Sequence, residues 1–248
     1  MNNPGYSGGA RSAERVLLSS MMSCRYLVVL AGASLMLGMP ACSRDEVMEP
    51  ALESKVARSE LLTPSQIREL TAQYAEERRV KDEGILHSPN SPLADALKVG
   101  FRGLRYFPVD PRYRFQGPIH RYAKPERFQI MATDGELREA IRWGYFKFTV
   151  DGRQIQTLQV YKMLDLDAAH SSYLFLPFAD SQAGSVTYGA GRYLDIEENK
   201  EGIYIVDFNA AYNPFCAYGK SYSCPMTPRE NRLRIPIPVG EKLLSTSD

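Results

Sequence analysis

From Phe101 onward the chain breaks into short apolar runs of extended character, separated by turn residues, with no helix-length segment between successive runs. Parallel strands need a crossover of a dozen or more residues, so this spacing excludes a doubly wound parallel sheet. The runs fall at residues 104–107, 128–133, 137–143, 145–150, 155–163, 173–178, 192–196, 203–208 and 233–239. Several alternate with period two: Phe146, Phe148 and Val150 share one face, and Leu158 and Val160 take the opposite parity from Ile155. Asp151-Gly152 stands between two of the runs, and the favoured hairpin turn needs positive φ at both of its central positions. The expected fold is mainly β: a single antiparallel β-barrel or curved sandwich with one N-terminal helix packed on it. That helix is signalled by Thr63-Pro64-Ser65-Gln66, where Thr63 caps, Pro64 suits the first turn and Gln66 completes a capping box. It is expected to run to Lys81 or Asp82, with Ile67, Leu70 and Tyr74 as its apolar stripe and Glu76, Glu77, Arg78 and Arg79 facing water. No internal repeat of fixed period occurs.

Ahead of this domain, Arg25 precedes a run of apolar and small residues, Tyr26 to Ala41, and then Cys42, Ser43, Arg44 and Asp45. The run has the length of a signal-peptide core and falls short of the roughly 20 apolar residues of a comfortable membrane span. It resembles a bacterial lipoprotein signal, matching at Ala41 and departing at Met39 and Pro40, with Cys42 as the lipidated residue. Residues 1–20 add nothing to such a signal, and a start at Met21 places Arg25 in a compact basic region. The organisation read from this is a signal peptide at 1–41, a lipidated N-terminus and tether at 42–62, and one β-rich domain at 63–248. Ser43 fits sorting to the outer membrane of a Gram-negative bacterium, so the expected location is its periplasmic face, held by a lipid anchor.

Without residues 1–41 the chain carries 27 basic and 28 acidic residues. That balance speaks against a nucleic-acid partner, which needs a basic excess. With Cys42 committed to lipid, Cys216 and Cys224 form an even pair in an oxidising compartment, and a disulfide between them is the expected state. It would contribute on the order of 2–3 kcal/mol by closing a short loop. A redox dithiol and a metal pair are the alternatives. Seven intervening residues suit the first poorly, and the scatter of His87, His120 and His170 suits the second poorly. No metal and no cofactor is implied.

The chemistry-bearing residues concentrate between Phe175 and Leu233. The blocks are Leu176-Pro177-Phe178-Ala179-Asp180, Thr187-Tyr188-Gly189-Ala190-Gly191-Arg192-Tyr193-Leu194-Asp195, Val206-Asp207-Phe208-Asn209 through Tyr212-Asn213-Pro214-Phe215-Cys216, and Cys224-Pro225-Met226-Thr227-Pro228-Arg229-Glu230-Asn231-Arg232-Leu233, followed by Gly240-Glu241-Lys242. Over about Ser65 to Lys242 this series resembles the bacterial family catalogued as domain of unknown function 1684. The resemblance implies an envelope lipoprotein and brings no activity with it.

The residues themselves suggest a ligand-binding set of Tyr188, Arg192, Asp207 and Asn209. Arg192 can hold an anion in bidentate fashion, and the glycines beside it allow close approach. Asp207 and Asn209 continue the strand face of Ile205. Each also has a purely internal use: Arg192 with Asp180, Asp195 or Asp207, and the Asp and Asn side chains on turn backbone. The leading expectation is a binding or structural domain without catalysis, whose partners are the membrane and a small anionic ligand or an envelope protein. The alternative is a hydrolase acting on an envelope component, with Asp180 or Asp207 as general base. A third is a structural subunit of an envelope complex, signalled by an exposed apolar patch.

Overall fold

The computed structural model describes residues 56–166 and 172–244. The leader, Cys42, most of the tether and His170 lie outside the described residues. Among the described residues, seven strands form one curled antiparallel half-barrel sheet: β1 (Arg58–Ser59), β2 (Arg114–Met131), β3 (Leu137–Thr149), β4 (Ile155–Met163), β5 (Tyr173–Phe178), β6 (Arg192–Glu197) and β7 (Ile203–Asp207). Among the described residues the α-helices are α1 (Pro64–His87) and α2 (Asp95–Lys98).

Strands β2 to β6 pair in sequence order, and β7 returns to pair with the start of β2, Arg114 opposite Asp207 and Pro118 opposite Ile203. The two residues of β1 pair with β2, and Ala57 just before them bridges Phe148 of β3. The runs expected at 137–143 and 145–150 are one strand with an irregularity at Trp143. Residues 114–127 of β2 escaped the sequence reading because Gly117, Pro118 and Pro125 interrupt them and the outward residues are mostly polar.

Alternation predicted the inward faces correctly. Phe146, Phe148, Leu158 and Val160 are fully buried while Ile155 is exposed. The rings of Phe115, Phe146, Phe148, Phe178 and Phe208 form one cluster with centroid separations of 5.0–5.9 Å. Each such pair contributes about 0.5–1.5 kcal/mol beyond the area it buries. The β3–β4 hairpin turns as expected, with φ of 53° at Asp151 and 66° at Gly152. A Gly152→Val variant is therefore expected to lose about 1–2 kcal/mol, the cost of a side chain in the left-handed region. Urea denaturation checks this, and an unchanged midpoint would remove the turn assignment.

Two expected strands are absent. Residues 104–107 make only an isolated bridge from Tyr106 to Glu241. Residues 233–239 run as an irregular segment, although Leu233, Ile237 and Val239 are buried in the main core as their alternation suggests. Pro236 and Pro238 lack the N–H groups that a ladder requires, so the segment keeps the pattern of a strand and loses its pairing.

Helix α1 has the predicted capping box, with Thr63 N–H donating to Gln66 Oε1 at 2.9 Å. It continues past Asp82 to His87 because its second half is held from outside: Ile85 is buried, and Asp82 Oδ1 accepts the Leu104 N–H at 3.0 Å. Arg78 does not face water. It is half-buried, lies 4.5 Å from the Tyr106 ring centroid and donates to the Phe107 carbonyl at 3.1 Å. Among the described residues no helix is long and apolar enough to cross a membrane.

Candidate functional site

The four residues singled out by the sequence fall into three settings that share no hydrogen-bond partner. Arg192 opens β6 with its side chain turned inward, 1% exposed, over the Phe178 ring at 5.0 Å. Its guanidinium donates to the carbonyls of Val239, Glu241 (3.1 Å) and Ile237 (2.9 Å) and pairs with Asp180 at 3.6 Å. These carbonyls alternate along the segment that cannot form a strand, so one planar cation supplies the donors that a neighbouring strand would have given. Burial pulls the guanidinium down to about 10, with Asp180 and then Glu241 opposing. The preceding Gly191 has φ of +104°, and a Cβ there would collide with Thr227 and with the Phe178 carbonyl. The close approach that this glycine allows is made by the protein's own Thr227.

Asp207 and Asn209 do meet. Asp207 Oδ1 accepts both the Asn209 N–H (2.9 Å) and its side-chain amide (2.8 Å), and Oδ2 accepts from Arg114 Nη1 at 2.9 Å. Asn209 also spans Asp110, taking its N–H at 2.8 Å and giving to its carbonyl at 2.9 Å. Tyr74 of α1 packs here, its phenol pushed up by burial and by the Asp207 charge. Ile205 is exposed, so it does not floor a pocket with Asp207. The chain turns at Asp207, which caps the 3-10 turn Phe208–Ala210.

This polar knot backs a cleft of about 300 Å³ where β1 meets α1, lined by Ser59, Glu60, Leu61, Leu62, Thr63, Ile67, Pro111 and Arg112. Arg114 reaches from Asp207 to Glu60 in the cleft wall, and Asp110 joins Asn209 to Arg112. Leu61, 97% exposed, stands at the cleft.

Tyr188 belongs to the third setting, where its hydroxyl donates to Cys216 Sγ at 3.5 Å. Cys216 and Cys224, expected as a disulfide, stand unbridged in this structure. They face each other through hydrogen bonds, with the Cys216 N–H donating to Cys224 Sγ at 3.3 Å. The acidic candidates are likewise apart. Asp180 accepts from Thr187 Oγ1 (2.6 Å) and the Ile237 N–H (2.8 Å), whereas Asp195 accepts from the Tyr212 hydroxyl at 2.7 Å. Among the described residues, no three His, Cys, Asp or Glu side chains converge as metal ligands.

Sequence reasoning passed over Glu241. Its carboxylate is fully buried and accepts from Tyr218 (2.8 Å), the Asn213 N–H (2.5 Å) and Lys81 Nζ (3.1 Å) on α1. The signal was present in Gly240-Glu241-Lys242, a carboxylate directly after an apolar run, and in Lys81 falling seven residues beyond Tyr74 on the same helix face.

A family model described as protein of unknown function (DUF1684) matches residues 99–242, more than half of the chain. The match ends at Lys242 as expected and begins after α1, later than Ser65. No curated protein matches the chain. Among solved structures, the solution NMR structure of an uncharacterized protein of Haloarcula marismortui is similar, with 28% identity and a TM-score of 0.56 over 73% of this chain and 97% of that one.

Proposed function

Because the chain belongs to the DUF1684 family of proteins of unknown function, which supplies no activity to carry over, we propose that it is a lipid-tethered domain of the cell envelope whose β1–α1 cleft holds the apolar end of an envelope molecule. The observation that carries this reading is the position of the cleft: its wall begins at Ser59, directly after the stretch that leads from Cys42. Covalent geometry limits the chain from Cys42 to Val56 to about 50 Å. An anchor at Cys42 therefore keeps the cleft close to the membrane surface. Leu61, Leu62, Ile67 and Pro111 give an apolar lining, and the volume lies at the low end of ligand pockets, about 300–1,000 Å³. In this reading Asp207 and Asn209 support the wall through Arg114 and Asp110 and do not touch the ligand, while Arg192 and Tyr188 act elsewhere.

Two measurements test it. In a Gram-negative host, the full chain is expected in the membrane fraction with an acylated N-terminal peptide at Cys42 by mass spectrometry, and Cys42→Ser is expected to lose that peptide and retain residues 1–41. In the purified full chain, the apolar molecules recovered by organic extraction are expected to fall about tenfold on Leu62→Asp, as for an unpaired carboxylate set against an apolar group. Equal recovery from both forms would remove the cleft as the binding site.

A further inference from the structure

Cys216 lies in the 3-10 turn Phe215–Tyr218, and Cys224 returns to it after a short loop. Their environments differ. Cys216 is half-buried, while Cys224 is 6% exposed and is tied down by its N–H on Thr133 Oγ1 at 3.2 Å. The Tyr188 hydroxyl points at Cys216 Sγ from the turn that precedes Arg192. Hydrogen bonding from Cys224, aided by Tyr188, lowers the Cys216 thiol against the effect of burial, whereas donating to Cys216 and burial both raise Cys224. Cys216 is thus the less buried of the two and favoured as thiolate, and Cys224 is buried beside it as a thiol.

We propose that Cys216 and Cys224 form a thiol–disulfide exchange site whose substrates are accessible disulfides, with Cys216 attacking and Cys224 resolving. The Cys216 thiolate attacks one sulfur of the substrate disulfide. A mixed disulfide forms, and the other substrate sulfur leaves as a thiolate and takes a proton from water. Cys224 then gives its proton to solvent and attacks Cys216 Sγ. The intramolecular disulfide forms as the remaining substrate sulfur departs. Two electrons pass from the pair to the substrate; run backwards, the bridged pair oxidises a substrate dithiol.

The probe is oxidised glutathione added to the reduced full-length protein carrying Cys24→Ser and Cys42→Ser, so that Cys216 and Cys224 are its only thiols, followed by intact mass and by trapping of free thiols. The wild-type pair is expected to end as the intramolecular disulfide. Cys224→Ser is expected to stop at one glutathione, attached to Cys216 in the peptide map, and Cys216→Ser to react about 100-fold more slowly. In millimolar mixtures of reduced and oxidised glutathione the wild-type pair is expected to populate both forms, because structural disulfides of secreted proteins resist that pool. Circular dichroism melts of both variants establish that they fold. A wild-type pair that stays bridged in reduced glutathione is a static strut and overturns the proposal. So does a folded Cys216→Ser variant that reacts at the wild-type rate, or a glutathione found on Cys224.

Discussion

Replacing Arg192 by methionine is expected to lower the unfolding free energy by about 3–5 kcal/mol, the range for removing one partner of a buried charge pair. The substitution keeps the length and apolar stem that lie over Phe178 but removes every donor. Asp180 is then left charged in the core, still bonded to Thr187 and the Ile237 N–H but without its cation. The carbonyls of Ile237, Val239 and Glu241 also lose their Arg192 donor. Buried groups left unsatisfied cost about 1–3 kcal/mol each, less whatever the segment recovers by shifting toward solvent. Arg192→Lys is expected to restore little, because a single ammonium lacks the planar fork that spans alternate carbonyls. Urea unfolding of both variants measures this. A loss below about 1 kcal/mol for Arg192→Met would mean that the C-terminal segment does not depend on the guanidinium.

The second large effect is expected at the helix–domain junction. Glu241→Leu should cost about 3 kcal/mol, since it leaves the buried Asn213 N–H and Tyr218 hydroxyl without their acceptor and removes the partner of Lys81. Lys81 retains enough exposure to turn toward water, so Lys81→Met alone should cost less. The double mutant separates the two contributions: a coupling energy of about 0.5–3 kcal/mol is expected for side chains in direct contact. Strictly additive losses would mean that the ion pair does not hold α1 to the domain. If the pair does hold it, amide exchange near Lys81 and Ile85 should also accelerate in Glu241→Leu, because local opening of α1 no longer breaks that contact.

How far the sequence reached depended on the range of the interaction. Asp151-Gly152, the Thr63–Gln66 capping box and the inward faces of β3 and β4 were legible because two to five neighbouring residues determine them. The segment at 233–239 was half legible: its apolar alternation reports burial, which the structure has, while Pro236 and Pro238 remove the pairing that alternation usually accompanies. Arg192 was read for its ability to hold an anion, and its internal pairing with Asp180 was already one of the readings. Its contacts with three main-chain carbonyls were not readable, because backbone acceptors look alike at every residue. Cys216 and Cys224 stand unbridged, and their spacing says nothing about which of the two is the more buried.

By itself the sequence determined a mainly β antiparallel domain with one capped N-terminal helix, the faces of its central strands, and the block in which its polar residues concentrate. Tertiary structure alone decided what those polar residues do. It set Arg192 against carbonyls 45–49 positions away, joined Lys81 to Glu241 across 160 positions, and placed Asp207 and Asn209 behind a cleft built by the N-terminal segment. The physical reason is that periodicity, capping and turn preference act over one or two turns of chain. The partner of a buried charge is chosen by whichever donors and acceptors the curled sheet encloses with it.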